Sequence, residues 1–327
     1  MSTALQHSII ILDDYQDASS TLADWSKLSH IPITVKREAI PAEQLVEVLQ
    51  PYSIIHAMRE RTNFTAALLE QLPNLRFITT TGMRNRGIDL VAARTLDITV
   101  SGTSANGNAS TGTCEQTWAL ILALSRRLIP EYDALRSGGW QTGFATGLAG
   151  KQLGLIGVGR LGKQVAAVGR AFGMKVVAWS PNLTDERAEE AGVERAKTLE
   201  ALMKGSDVVS VHIVHSERTT GLLGAKELGW LKPTAFLVNT SRGPIIDEKA
   251  LLDISGRIGG VGLDVFDEEP LPKEHPLRSA SNVVLSPHMG YVDDTSYVPW
   301  WQQTPENILA FLADKPVRVL DPDNPVF

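Results

Sequence analysis

Cysteine is all but missing from this chain: Cys114 is the only one among 327 residues. No intrachain disulfide can form, so a reducing compartment, the cytoplasm, is the expected setting. Cys114 lies in an apolar helical stretch and reads as small core filler rather than a nucleophile. Long apolar runs are also lacking, which excludes a spanning helix and leaves no reason to expect a membrane partner. The first apolar run, Ile9-Ile10-Ile11-Leu12, has no basic flank and stops at Asp13-Asp14. It reads as a first β-strand, not a signal peptide. Positive charge is in deficit, with 31 Lys and Arg against 37 Asp and Glu. A nucleic-acid binder would carry a basic stripe, so that class is not expected. What remains, 43% hydrophobic and 21% charged residues, is the composition of a packed globular enzyme or binding protein.

Short β-rich runs alternate with amphipathic stretches along the whole chain. Strands are expected at 9–12, 33–36, 53–57, 76–80 and 98–100, with helical patterns at 42–49 and 65–72 between them. A loop rich in Gly, Ser, Thr and Asn covers 103–112, and a long helix is expected over 114–128. A second series of strands follows at 152–156, 175–179, 207–212, 235–239, 260–264 and 282–285, then a helix at 304–313. Alternation of this kind means βαβ units and mostly parallel sheets.

The strongest local motif is Gly157-Val158-Gly159-Arg160-Leu161-Gly162, which follows an apolar strand and opens a helical pattern over 160–172. In that context a G-x-G-x-x-G loop binds a dinucleotide. Gly157 permits a tight turn, Gly159 lets the backbone approach a pyrophosphate, and Gly162 lets the helix pack closely. Arg160 and Leu161 begin the helix whose N–H groups would face the anion. The motif sits mid-chain. The cofactor domain is therefore expected over 104–296, inserted into a substrate domain made of 1–103 and 297–327. An NAD-specific site would carry Asp or Glu at the end of the next strand, where Ser180 and Asn182 stand instead. Without a carboxylate to repel a 2′-phosphate the cofactor reads as NAD(P), leaning towards NADP(H). The alternative is that Ser180, Asn182 and Thr184 only shape a turn and cap a helix.

Three further segments each follow a strand end. Asn239-Thr240-Ser241-Arg242-Gly243 offers a guanidinium, whose planar fork suits a carboxylate and a carbonyl. Asp264-Val265-Phe266-Asp267-Glu268-Glu269-Pro270 offers carboxylates, and Ser286-Pro287-His288-Met289-Gly290 an imidazole suited to proton transfer near neutrality. Each alone would read as a surface or structural residue. All three at strand ends of one parallel sheet make Arg242, Glu269 and His288 a candidate catalytic group.

In this order, together with Leu72-Pro73-Asn74-Leu75-Arg76-Phe77-Ile78, these motifs resemble the D-isomer-specific 2-hydroxyacid dehydrogenases over nearly the whole chain. That family includes glyoxylate/hydroxypyruvate reductases and phosphoglycerate dehydrogenases. The resemblance implies an α/β fold of two Rossmann-like or flavodoxin-like parallel-sheet domains, with the active site in the cleft between them. It implies that Arg242 binds and polarises a small 2-keto acid, that His288 is the acid/base, and that Glu269 is its partner. It implies that Asp264 holds the nicotinamide carboxamide, and that the assembly is a homodimer built through the cofactor domain, with the helix over 114–128 as a plausible contact. Met83 and Arg84 match the loop that donates N–H groups to the substrate carboxylate, although Thr81-Gly82-Met83-Arg84-Asn85-Arg86-Gly87 is bulkier than the usual loop. Arg59 matches a position that binds a distal phosphate in phosphoglycerate dehydrogenases; a surface ion pair with Glu60 or Glu70 is the competing reading. Tyr297, Trp300 and Trp301 are expected to pack a contact more than to line the site. Glu269 disfavours a formate dehydrogenase, where Gln is typical. A nucleotide-sensing corepressor of the same fold stays open as a non-catalytic alternative.

Overall fold

The computed structural model describes residues 7–104, 111–280 and 282–323. The chain divides into two compact units, Met1–Ala109 with Asp294–Phe327, and Ser110–Asp293. In the first unit β1 (Ile9–Ile11), β2 (Ile33–Val35), β3 (Ile54–Ala57), β4 (Phe77–Thr80) and β5 (Thr99–Gly102) form one parallel sheet, ordered β2-β1-β3-β4-β5. β1, β3 and β4 are buried along their whole length, as expected of strands covered on both faces.

The helix Asp294–Leu312 belongs to this sheet: Phe311 stacks on Phe77 with ring centroids 4.5 Å apart. It is far longer than the 304–313 segment expected. Pro299 and Pro305 lie inside it, and interior prolines each remove a helix hydrogen bond and argue for a break. Packing overrides them, because Tyr297, Trp300, Trp301 and Ile308 are buried on the helix. Asn307 also donates to Thr79 Oγ1 and to the Gly102 carbonyl. The three aromatics are thus packing residues of this unit.

In the second unit β6 (Gln152–Ile156), β7 (Lys175–Trp179), β8 (Glu194–Arg195), β9 (Val208–Val211), β10 (Phe236–Asn239), β11 (Gly260–Leu263) and β12 (Val283–Leu285) make a parallel sheet. Its order is β12-β11-β10-β9-β6-β7-β8, so the chain changes direction across the sheet between β6 and β9. Both orders are doubly wound arrangements, the first flavodoxin-like and the second Rossmann-like. β8 was not anticipated. It is two exposed charged residues at the sheet edge, carries no apolar signal, and suits an edge strand for that reason.

The helix expected over 114–128 is two helices, Gly112–Ser125 and Leu128–Arg136. Arg127 adopts a left-handed conformation, φ +54°, and the Ser125 carbonyl accepts from Thr146 N at 2.7 Å rather than continuing a helix ladder. Residues 105–110 of the expected loop lie outside the described residues.

Candidate active site

All strands of the second sheet are parallel, so their carboxyl ends share one edge, and ligands bind such sheets at the point of reversal. There, after β6, Gly157 has φ +96°, and a Cβ on it would sit 2.7 Å from the His212 carbonyl oxygen. Only glycine makes this turn. Gly159 differs: a Cβ there would meet nothing within 4 Å. Packing within the protein does not demand that glycine, so the space before it is the cradle a close-lying phosphate would use. Gly159 is also the N-cap of Arg160–Ala171 and supplies no side-chain cap, which leaves the first N–H groups of a 12-residue helix to an anion. Gly162 lies against the Gly157 carbonyl, inside the turn itself more than against the sheet. Arg160 is exposed and Leu161 half-buried. These residues fit a dinucleotide.

Ser180 follows β7 half-buried, and its carbonyl accepts from Leu183 N at 3.2 Å. Asn182 is exposed in the same turn, and Thr184 caps the helix Asp185–Glu190 by accepting from Arg187 N. The Ser180 carbonyl thus closes the turn and Thr184 caps the helix, as the turn-and-cap reading expects.

The catalytic candidates converge along the same edge. Arg242 follows β10 in a turn built by Asn239, whose Nδ2 donates to the Arg242 carbonyl at 2.9 Å and whose Oδ1 accepts from Ser241 N. Gly243 then packs directly on the Phe266 and Asp267 backbone, leaving no room for a side chain. This contact couples the Arg242 turn to the loop that carries Glu269. Glu269 Oε1 accepts from Phe266 N at 2.9 Å, and Oε2 accepts from His288 Nδ1 at 2.6 Å. Burial pushes the Glu269 carboxyl up, but the His288 hydrogen bond and charge, the Phe266 N–H and the Arg242 charge outweigh it and hold the group below its ordinary value. Glu269 is therefore an anion. His288 donates to it through Nδ1, which leaves Nε2 as the nitrogen able to move a proton.

His288 itself has φ +55°, a costly conformation for a residue with a side chain. Asp264, at the end of β11, holds it there. Its two carboxylate oxygens accept from Met289 N at 2.8 Å and Gly290 N at 2.9 Å, and Thr113 Oγ1 donates to the Gly290 carbonyl at 2.8 Å. Burial raises the Asp264 carboxyl, against the hydrogen bonds from Ser286, Met289 and Gly290 and the charge of His288. Anchoring the imidazole loop is a task of Asp264 that sequence reasoning missed. Asn239 was likewise missed, although an Asn closing its own strand is a known turn former.

In the first unit Arg59 follows β3 with φ +48°, its N–H donating to Thr81 Oγ1 at 2.9 Å. Its guanidinium lies over the Trp300 ring, 5.6 Å from the centroid, and against Gly82. Met83 is half-buried and Arg84 exposed in the loop after β4. These three share the carboxyl edge of their own sheet.

Residues 118–290 match the D-isomer specific 2-hydroxyacid dehydrogenase family, NAD binding domain. The chain belongs to that family. It is 35% identical over 301 residues to a glyoxylate reductase of Aeropyrum pernix, covering 89% of each chain. It is 34% identical over 252 residues to a D-3-phosphoglycerate dehydrogenase of Methanocaldococcus jannaschii, covering 76% of this chain and 47% of that one. It also superposes on a phosphoglycerate oxidoreductase from Vibrio cholerae with a TM-score of 0.86 at 32% identity, covering 94% and 99%. As a 2-hydroxyacid dehydrogenase it is an NAD(P)-dependent oxidoreductase acting on the CH–OH group of its donors, and on the corresponding 2-keto acid in reverse. No helix among its described residues is long and apolar enough to cross a membrane.

Proposed function

We propose that this dehydrogenase reduces glyoxylate, hydroxypyruvate or a 2-keto acid of similar size, with Arg242, Glu269 and His288 as its catalytic group. The supporting observation is the 2.6 Å Glu269–His288 pair on the sheet edge, with the Arg242 charge acting on the same carboxylate. Bound NAD(P)H supplies the hydride that goes to C2. Arg242 binds the substrate carboxylate and polarises the carbonyl oxygen. His288 Nε2 delivers the proton to the developing alkoxide, and Glu269 orients the ring. Met83 and Arg84 are read as donors to the carboxylate, and Arg59 as the binder of a more distal anion. The cofactor residues are Gly157, Gly159, Arg160, Leu161, Gly162, Ser180, Asn182 and Asp264. The absence of a carboxylate at Ser180 favours NADP(H), and the working form is a cytoplasmic homodimer.

A panel of 2-keto acids assayed with NADH and NADPH tests this reading. Turnover of glyoxylate or hydroxypyruvate above that of 3-phosphohydroxypyruvate, with NADPH preferred, is the expected result; no turnover of any 2-keto acid would refute it. Ser180→Asp should move the kcat/KM ratio towards NADH, because a carboxylate repels a 2′-phosphate and grips a 2′-hydroxyl. An unchanged ratio would remove Ser180 from the ribose site. Gly159→Ala should leave unfolding by urea unchanged, since the added methyl meets no protein atom, yet weaken NAD(P)H binding at least tenfold in a fluorescence titration. Unaltered binding would mean that no phosphate lies over Gly159.

A further inference from the structure

The helix Gly112–Ser125 is apolar without a break from Trp118 to Leu124. That part lies directly on β11: a Cβ on Gly262 would sit 3.1 Å from the Leu120 Cβ, and one on Gly260 would sit 2.8 Å from Leu124 Cδ2. The first turns of the helix differ, because they carry Thr113, Gln116 and Thr117. Spaced at i, i+3 and i+4, these three share one face. Each of them reaches a loop that bears a candidate catalytic side chain.

β12 and β10 flank β11, and their carboxyl ends lead to His288 and Arg242. On the β12 side Thr113 Oγ1 donates to the Gly290 carbonyl at 2.8 Å, and Gln116 Nε2 donates to Ser286 Oγ at 2.7 Å. The two acceptors bracket His288 in the chain. On the β10 side Thr117, wholly buried, sets its Oγ1 2.8 Å from Thr240 Oγ1, just ahead of Arg242. The direction of these bonds follows from where each proton goes. Thr117 gives its hydroxyl proton to the Thr113 carbonyl at 2.8 Å, so it accepts from Thr240. Ser286 receives the Gln116 N–H, which directs its own proton to the Asp264 carboxylate. That carboxylate is the group that holds Met289 N and Gly290 N, and with them the backbone of His288.

We propose that Gln116 and Thr117 are positioning residues of the reaction: Gln116 aligns the His288 loop through Ser286 and Asp264, and Thr117 aligns the Arg242 turn through Thr240. The proposal rests on the catalytic reading given above. Single hydrogen bonds of this kind contribute only about 1 kcal/mol net to stability, and an apolar face could pack in their place. What they add is spacing. Two loops that leave different strands are tied to one rigid helix, and a misplacement of about 1 Å between reacting groups can cost about a hundredfold in rate.

Steady-state kinetics with the fastest pair from the keto-acid panel tests the proposal, on Gln116→Met, Ser286→Ala, their double variant and Thr117→Val, with His288→Ala beside them. Gln116→Met keeps the length of the side chain and donates nothing. It and Ser286→Ala should each lower kcat roughly tenfold or more, with little change in KM for the keto acid. The double variant should be no slower than the slower single one, because both act through one hydroxyl. Ser286→Thr, which keeps that hydroxyl, should recover most of the kcat lost in Ser286→Ala. Thr117→Val should raise KM as well as lower kcat, since Arg242 acts in the ground state too. Losses that multiply in the double variant, or wild-type kinetics in Gln116→Met, would overturn the role of Gln116. An unchanged KM in Thr117→Val would overturn that of Thr117. Should Gln116→Met not fold, Gln116→Asn decides: its amide stops one methylene short of Ser286, so the same loss of kcat is expected and a wild-type kcat refutes the link. Near-normal kcat in His288→Ala would defeat the catalytic reading itself, whereas a slow His288→Ala beside an unaffected Gln116→Met defeats this proposal alone.

Discussion

His288→Ala is expected to lower kcat for keto-acid reduction by roughly 10²–10⁴-fold, the usual contribution of a positioned general acid, with a much smaller change in KM. The ring is committed to one orientation: Nδ1 is tied to Glu269 Oε2 at 2.6 Å, and the backbone is locked by Asp264 through Met289 N and Gly290 N. On the proposed mechanism, removing the imidazole removes the proton source while leaving Arg242 and the glycine turn untouched. Arg242→Ala should damage kcat and KM together, because a guanidinium on the carboxylate acts in the ground state as well as in the transition state. Glu269→Gln should be milder than either. It keeps a hydrogen bond to the ring and removes only the charge, so kcat should fall less than in His288→Ala. Steady-state kinetics of the three variants across pH 5–9, a roughly four-unit window around neutrality, separates these roles. A His288→Ala enzyme with near-normal kcat would show that the proton comes from elsewhere.

Acidification is expected to destabilise the first unit through His56. This side chain is fully buried on β3, its ring 4.6 Å from that of Trp301, with Nδ1 3.4 Å from Thr304 Oγ1 and Nε2 without a hydrogen-bond partner. Burial lowers its pKa from 6.5 to about 3. Below pH 6.5 the unfolded chain takes up a proton that folded His56 refuses, so stability falls as pH drops and the full contribution exists only above 6.5. The slope approaches about 1.4 kcal/mol per pH unit for this one group and continues to about pH 3. Asp13 in the same unit acts the other way: burial raises its carboxyl against the hydrogen bond of Thr62 and the charge of Arg61, so its own contribution grows on acidification. Urea unfolding followed by tryptophan fluorescence between pH 7 and 4, a span of roughly two slope-bearing units, should reveal the dependence. His56→Gln lowers stability overall but should flatten the slope between those limits. An equally steep slope in the variant would exclude His56 as the source.

Much of the fold was legible because it rests on local chemistry. Parallel strands covered on both faces must be continuous apolar runs, so Ile9–Ile11 and Ile54–Ala57 announced themselves. At Gly157 and Gly162 the backbone approaches too closely for a Cβ, so only glycine fits there. Arg242, Glu269 and His288 could be read as one group because a parallel sheet sends all its strand ends to one edge. Where the reading failed, a tertiary contact had overridden a local preference. Pro299 and Pro305 signal a break in the helix Asp294–Leu312, yet its buried tryptophans hold it together. The helix after Gly112 looks continuous through 128, yet Thr146 takes the Ser125 carbonyl and Arg127 turns left-handed. β8 has no apolar pattern to betray it, since an edge strand of Glu194 and Arg195 needs only backbone pairing.

The sequence by itself determined the residue types, their order and hence the reaction class, because those follow from covalent chemistry and short-range sterics. Only the tertiary structure decided that Asp264 serves the His288 loop and that Asn239 shapes the turn of Arg242. Each of these depends on which groups meet across tens of residues. A carboxylate or an amide carries no mark in the sequence of the partner it will find.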